Sequence, residues 1–338
     1  MKKTRIYIIV ALTILVVAST ILSYFRLFIQ SNLSCTDEVI VCVVRKETAA
    51  KNVFNTNGLM LYSERSWQIA ARLKKLTVVK PGRYRLKSGM SNNDIIAEFR
   101  SGGAATLNLR IDDVSSLEEL ASKLGNSMLQ DSTHFISAFT NDSLLNALEI
   151  NAAYVATYIR PNTYEFFWNM TGEAFLRKML SESNKLWSAA REAACAQRGM
   201  SKEEVVILAS IVKAETGATE EAPRIAGLYL NRLRTGMPLQ SDPTAIFGRR
   251  KSTQRVYLSD IQSDSPYNTY KFAGLPPGPI NFPETIYIDA VLQAEQNSFV
   301  FMCAEPGSTG KHRFAKSLSE HERNRKEYVT WLDKKGIR

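Results

Sequence analysis

Histidine is scarce in this chain of 338 residues: only His134, His312 and His321 occur. None has the spacing of an H-E-x-x-H site, so that class of zinc hydrolase is excluded. Cysteine is nearly as sparse. Cys35, Cys42, Cys195 and Cys303 match no metal-site spacing and include no C-x-x-C pair, and no disulfide is assigned from them. Internal repeats and low-complexity tracts are lacking. So are zinc-finger spacing, an RRM-type aromatic box and basic residues interleaved with aromatics, which argues against nucleic acid as a partner despite a formal charge of +10. That charge favours an acidic partner, such as an anionic lipid surface or polymer, without choosing between them.

The N-terminus is more informative. Lys2, Lys3 and Arg5 precede an uncharged run from Ile6 to Phe25, closed by Arg26. Twenty helical residues span roughly 30 Å, the thickness of a bilayer's hydrocarbon core. The expected topology is a cytoplasmic tip at 1–5, a transmembrane helix at 6–26, and everything beyond on the periplasmic or extracytoplasmic side of the inner membrane. A cleavable signal peptide competes with this reading. Its apolar region should be shorter and end at small residues, and Tyr24-Phe25-Arg26 is a poor cleavage site.

The length calls for two or more folded units after the anchor. Val39 to Val44 reads as a buried strand and Glu64 to Leu76 as an amphipathic helix with Trp67, Ile69, Ala70 and Leu73 on its apolar side. Ser91 is a plausible N-cap for a helix carrying Ile95, Ile96 and Phe99. Thr106 to Ile111 alternates like a strand, and Ser116 caps a short helix expected to stop at Gly125. From about Gly172 the chain reads as mainly helical, with strands at Phe299–Cys303 and near His312–Phe314. The elements do not alternate regularly, so the fold class is α+β. Gly236 to Pro283 is rich in Gly, Pro, Asn, Asp and Ser and reads as a long functional loop.

One acidic residue stands out. Ser201-x-x-Glu204 has capping-box spacing and should start a helix that ends in a left-handed cap at Gly217. Val205, Leu208, Ile211 and Val212 share one face, and Glu215, seven residues after Leu208, continues that apolar stripe. A carboxyl on a core-facing stripe loses hydration, and the negative end of the helix acts in the same direction, so its pKa should rise. Such a group suits general acid catalysis. A structural ion pair at the helix end is the other reading. Lys213, two positions away, points elsewhere.

Several stretches resemble the endolytic murein transglycosylases (the MltG, or YceG-like, family). They are ASIVKAET (Ala209 to Thr216), LYLNRLRTGMPLQSDPT (Leu228 to Thr244), YNTY (Tyr267 to Tyr270), GLPPGPI (Gly274 to Ile280) and HRFAKSLSEHERNRKEY (His312 to Tyr328). Upstream, YIRPNTYEF (Tyr158 to Phe166) and PGRYRLKSGMSNNDII (Pro81 to Ile96) add to the resemblance. It implies a small LysM-like domain at 37–105 and a catalytic domain at 106–338. It places the family's catalytic acid on Glu215, with Lys213 where members commonly carry a second Glu. The implied reaction cleaves the β-1,4 bond between N-acetylmuramic acid and N-acetylglucosamine and closes a 1,6-anhydro ring, with no metal or organic cofactor. It also implies nascent glycan strands as substrate and wall synthases as partners.

Candidate sugar contacts lie in the same motifs. Asn231 and Gln240 offer amides for acetamido and hydroxyl groups, and Tyr267 and Tyr270 offer flat faces and hydroxyls. Ser241, Thr244 and Asn268 complete the set. Asp242 is either a turn residue before Pro243 or a carboxylate in the site. If it held a water opposite Glu215, the enzyme would be a muramidase-type hydrolase. A non-catalytic wall-binding scaffold is the third reading. His312 and His321 have no assigned role.

Overall fold

The computed structural model describes residues 2–34, 39–57, 59–102, 106–112, 114–248, 257–307 and 310–336. Cys35 lies outside them, as does part of the 236–283 stretch. The chain is mixed helix and sheet. It divides into two compact units, residues 1–109 with 127–130 and 165–170, and residues 110–126, 131–164 and 171–338.

The first unit begins with the helix Lys2–Tyr24, which passes into a π-helical turn at Phe25–Ile29. This is the one described helix long and apolar enough to cross a membrane. Its side chains are exposed from Thr4 to Arg26, Leu27 is half-buried, and Phe28 is buried in the unit's core with Leu33, Trp67, Tyr84, Ile95 and Phe99. Val39–Val44 pairs antiparallel with Gly82–Lys87, setting Cys42 opposite Tyr84. The strand is not buried on both faces as expected. Val41 is exposed while Cys42 and Val44 are buried, the alternation of a two-stranded ribbon with one face on the core.

The expected helix at 64–76 ends at Leu73, and its buried face is Trp67, Ala70 and Ala71, with Ile69 and Leu73 exposed. The i, i+3, i+4 rule chose the Trp67 face, and a residue two positions from Trp67 falls on the far side. Ser91 caps the helix Asn92–Arg100 in a capping box with Asp94. Two buried asparagines tie the end of the N-terminal helical segment to this helix. Asn92 Nδ2 donates to Leu27 O and Ser66 Oγ, both at 2.8 Å, and Asn92 Oδ1 accepts from Asn32 at 2.7 Å.

In the second unit the helix predicted to stop at Gly125 runs Leu117–Ser127. Gly125 is there for space: a Cβ on it would stand 2.3 Å from the backbone nitrogen of Ser132. The chain is mainly helical after Gly172, and the two late strands, Phe301–Ala304 and His312–Ala315, form an antiparallel pair.

The core is organised around the helix Lys202–Glu215. Its start has the expected capping box of Ser201 with Glu204. Every residue from Val205 to Val212 is buried, against the helices Ala222–Thr235 and Thr285–Leu292. Each large aliphatic side chain so buried contributes roughly 1.5–3 kcal/mol, so the helix is held firmly along its length. Its one polar interior residue, Ser210, is satisfied: its hydroxyl donates to Ile207 O and accepts from Ile280 N. The helix ends without a left-handed glycine. Thr216 caps it in an extended conformation, and Gly217 is absent from the glycines with positive φ among the described residues.

Candidate active site

Glu215 is the last residue of that helix, so the rigid core fixes its Cα while its side chain reaches beyond the packed stripe. Two hydroxyls hold the carboxyl. Tyr229, on the neighbouring helix Ala222–Thr235, donates to Oε1 at 2.7 Å. Ser241 Oγ donates to the same oxygen at 2.5 Å. Oε2 has no protein partner among the described residues and is not sealed from solvent. The carboxyl opens onto a cavity of about 270 Å³.

The pKa of Glu215 is raised, first because burial penalises the charged form. The hydroxyls of Ser241 and Tyr229 oppose this, the charge of Asp242 reinforces it, and His312 opposes it. Burial wins. The result is a carboxyl inclined to hold its proton, yet with two donors ready to stabilise the anion once the proton has gone. Lys213 does not neutralise it: its Nζ donates to Phe282 O and to Glu284 Oε1, at 2.9 and 2.8 Å. Tyr229 and Tyr270 both have raised pKa values, chiefly from burial, and act as neutral donors.

The 236–283 stretch, read as a loop, contains the short helices Asp242–Gly248 and Leu258–Ile261. Asp242 begins the first of these, lines the cavity and accepts a hydrogen bond from the Tyr270 hydroxyl; Tyr270 lines the cavity too. Gln240 lines it with a left-handed backbone, φ 49°, while its N–H donates to Thr269 O.

The other candidates are occupied elsewhere. Thr244 is buried and donates to Ser241 O at 2.6 Å, so it braces the serine that touches Glu215. Asn268 is fully buried, with its amide on the carbonyls of Ile261 and Ser263 and its Oδ1 on Tyr270 N. Asn231 spends its amide on Asn297 and on Phe299 O, and does not line the cavity. Tyr267 packs against Phe247 and lines a different, larger cavity.

Sequence reasoning missed Tyr229 and Arg232. Arg232 is buried and lines the cavity; its Nε donates to Val300 O and its Nη1 to Leu239 O, both at 2.7 Å. It thereby holds the backbone just before Gln240 and Ser241. Both residues lie on the Ile225–Leu228–Arg232 side of their helix, a buried stripe. A guanidinium or a phenol on such a stripe must find partners, and that was the available signal. His312 lines the cavity as well, its Nδ1 3.2 Å from Glu221 Oε2. His321 stacks on Phe301.

On an α+β scaffold, the cavity gathers a buried carboxyl with a raised pKa, a second carboxylate and two phenols, a set of groups suited to acid–base chemistry. The chain belongs to the YceG-like family, whose model matches residues 43–327. It is similar to the "Endolytic murein transglycosylase" of Bacillus subtilis (strain 168), 26% identical over 306 residues, which cover 85% of this chain and 83% of that protein. It is also similar to the protein of the same name from Streptococcus pneumoniae serotype 2 (strain D39 / NCTC 7466), 28% identical over 290 residues, covering 77% of this chain. The match takes in 52%, about half, of the streptococcal protein's length. A crystal structure of a yceG-like protein, lmo1499 from Listeria monocytogenes, shares the fold with a TM-score of 0.56 at 22% identity, over 85% of this chain and 99% of that one.

Proposed function

We propose that the chain is an endolytic peptidoglycan lytic transglycosylase with Glu215 as its single acid and base. The observation that carries this reading is the division of labour within one carboxyl that lines the cavity: Oε1 is held by two hydroxyls, and Oε2 is left without a partner among the described residues. Glu215 donates its Oε2 proton to the glycosidic oxygen between N-acetylmuramic acid and N-acetylglucosamine, and the bond from that oxygen to muramic C1 breaks. The resulting carboxylate is stabilised by Tyr229 and Ser241. It then takes the proton from the muramic 6-hydroxyl as that oxygen bonds to C1, closing the 1,6-anhydro ring and restoring the acid. No water enters, so one carboxylate suffices where ordinary glycosidases use two. Mass spectrometry of digested glycan is the test. Anhydro-muramic ends are expected from the wild type and none from Glu215→Gln; free reducing ends would establish hydrolysis instead. That hydrolytic reading draws support from Asp242, a second carboxylate in the cavity.

The substrate-contact role is assigned to Gln240, Asp242 and Tyr270, which line the cavity. Residues 37–105 are assigned as a small LysM-like domain and 106–338 as the catalytic domain. The N-terminal helix is assigned as a retained single-pass anchor in the inner membrane, with the enzyme outside. Support comes from its continuity with the first unit, where Phe28 is a core residue and Leu27 O is bonded by Asn92. Tethering favours newly made strands and brings wall synthases within reach. Deleting residues 1–24, which spares Phe28, should relax the preference for nascent glycan; unaltered strand lengths in cells would overturn the tether's role.

A further inference from the structure

The first unit follows the N-terminal helix with no linker. The uncharged run ends at Phe25, and Phe28 is already a residue of the unit's core. Three helical residues advance about 4.5 Å. The headgroup layer on each side of a hydrocarbon core is roughly 5–7 Å thick, so a span whose apolar run ends at Phe25 carries Phe28 at headgroup depth. The bonds of Asn92 to Leu27 O and to Asn32 hold the unit at that level. The surface around Phe28 therefore lies against lipid headgroups.

That surface is basic. Lys74 Nζ stands 5.2 Å over the Phe28 ring, and Arg100 donates to Lys74 O. The helices Glu64–Leu73 and Asn92–Arg100, which end there, both pack on the Phe25–Ile29 turn. Arg72 and Lys75 flank Lys74, and Arg26 lies in the turn itself; these three and Arg100 are exposed. Among the described residues none of the five forms an ion pair. Cations at helix C-termini complement the partial negative charge there, which would account for one cation on each helix. Lys75 goes further. It stands past the helix end at φ 56°, the left-handed position that favours glycine and strains a side chain. Ile29 and Leu73 are exposed beside the cations, and the Tyr24 ring lies 5.0 Å from that of Phe28, where membrane proteins place their interfacial aromatics. We propose that Arg26, Arg72, Lys74, Lys75 and Arg100 form a collar that binds the phosphates of anionic phospholipids and holds the first unit against the bilayer. The collar rests on the retained-anchor reading and is independent of the reaction at Glu215.

The test places the full chain in nanodiscs of phosphatidylcholine alone and of equal parts phosphatidylcholine and phosphatidylglycerol. Brief acetylation followed by mass spectrometry reads the reactivity of each lysine. Lys75 should react about fivefold more slowly in the anionic discs, and high salt should erase the difference. The double variant Arg26→Gln/Arg72→Gln changes two exposed side chains and should remove most of that protection. Equal Lys75 rates in the two lipids would overturn the headgroup site, and protection that survives the double variant would overturn the collar as a unit. Inorganic phosphate added to the phosphatidylcholine discs should not protect Lys75; equal protection would make the collar a general anion site and overturn the lipid assignment. A chain that alkaline carbonate strips from both discs would instead sink the retained anchor, and the collar with it.

Discussion

The Asn32–Asn92 cluster of the first unit and the Glu215–Tyr229–Ser241 cluster of the second are both buried polar groups pinned at helix ends. They differ in one respect. Each side-chain polar atom of the two asparagines is matched: Asn32 bonds Ser63 O and N as well as Asn92, and Asn92 bonds Leu27 O and Ser66. In the Glu215 cluster one carboxyl oxygen accepts two hydrogen bonds, the other has no partner among the described residues, and the residue lines a cavity. A fully matched network specifies a fold. A network with one reactive atom left open, held rigidly from behind, is prepared for a substrate.

The largest expected effect separates the two clusters. Glu215→Gln should retain the fold, because Gln Oε1 can still accept from Tyr229 and Ser241, while strand cleavage falls by about 10²–10⁴-fold. Circular dichroism together with anhydro-product yield checks this; substantial residual activity would remove Glu215 from the chemistry. Asn92→Ala should do the reverse. It leaves Leu27 O and part of Asn32 unmatched in the interior and should cost the first unit about 2–4 kcal/mol, with kcat of the folded protein unchanged. Denaturant unfolding measures the loss, and a fall in kcat would contradict the separation.

Next come the donors behind Glu215. Tyr229→Phe and Ser241→Ala each remove a hydrogen bond to the carboxylate that forms after the first proton transfer. Each should cost about 10–100-fold in kcat. Both donors favour the ionised form, so their loss raises the pKa of Glu215 further. The first step needs the protonated acid, which is lost as pH rises through that pKa. The alkaline limb of the pH–kcat profile should therefore move to higher pH in both variants. A limb that stays put, or moves down, would assign it to another group.

Much of the scaffold was legible because it depends on local spacing. The capping boxes at Ser91 and Ser201 and the helices that they start follow from residues within a turn or two of one another. Glu215 itself was legible because a carboxyl on an apolar stripe contradicts its surroundings. The failures involve partners beyond the neighbouring turn. Gly125 was read as a stop signal, yet the constraint comes from Ser132 folding back on it. Asn231 looked like a sugar ligand, but its partners lie 66 and 68 residues ahead. Ser241 was chosen for its motif, and only the fold brings it onto a carboxyl 26 residues behind it. Tyr229 and Arg232 were overlooked because a stripe position was equated with inert packing.

The smallest effect bears on the same contrast through pH. Glu215 has a folded-state pKa above its unfolded value, so its contribution to stability is complete below the unfolded pKa and is lost as pH rises through the folded one. Glutamine has the same shape and no charge to bury. Glu215→Gln should thus unfold at a higher temperature than wild type at about pH 8, and the gap should close toward about pH 4, where both side chains are neutral. The asparagine cluster contains no titrating group, so the deficit of Asn92→Ala should stay the same across that range. Thermal scans of both variants against wild type at several pH values read the two slopes side by side. A flat gap for Glu215→Gln would mean that the carboxyl is solvated well enough to ionise freely, and a group of that kind could not hold a proton for the glycosidic oxygen.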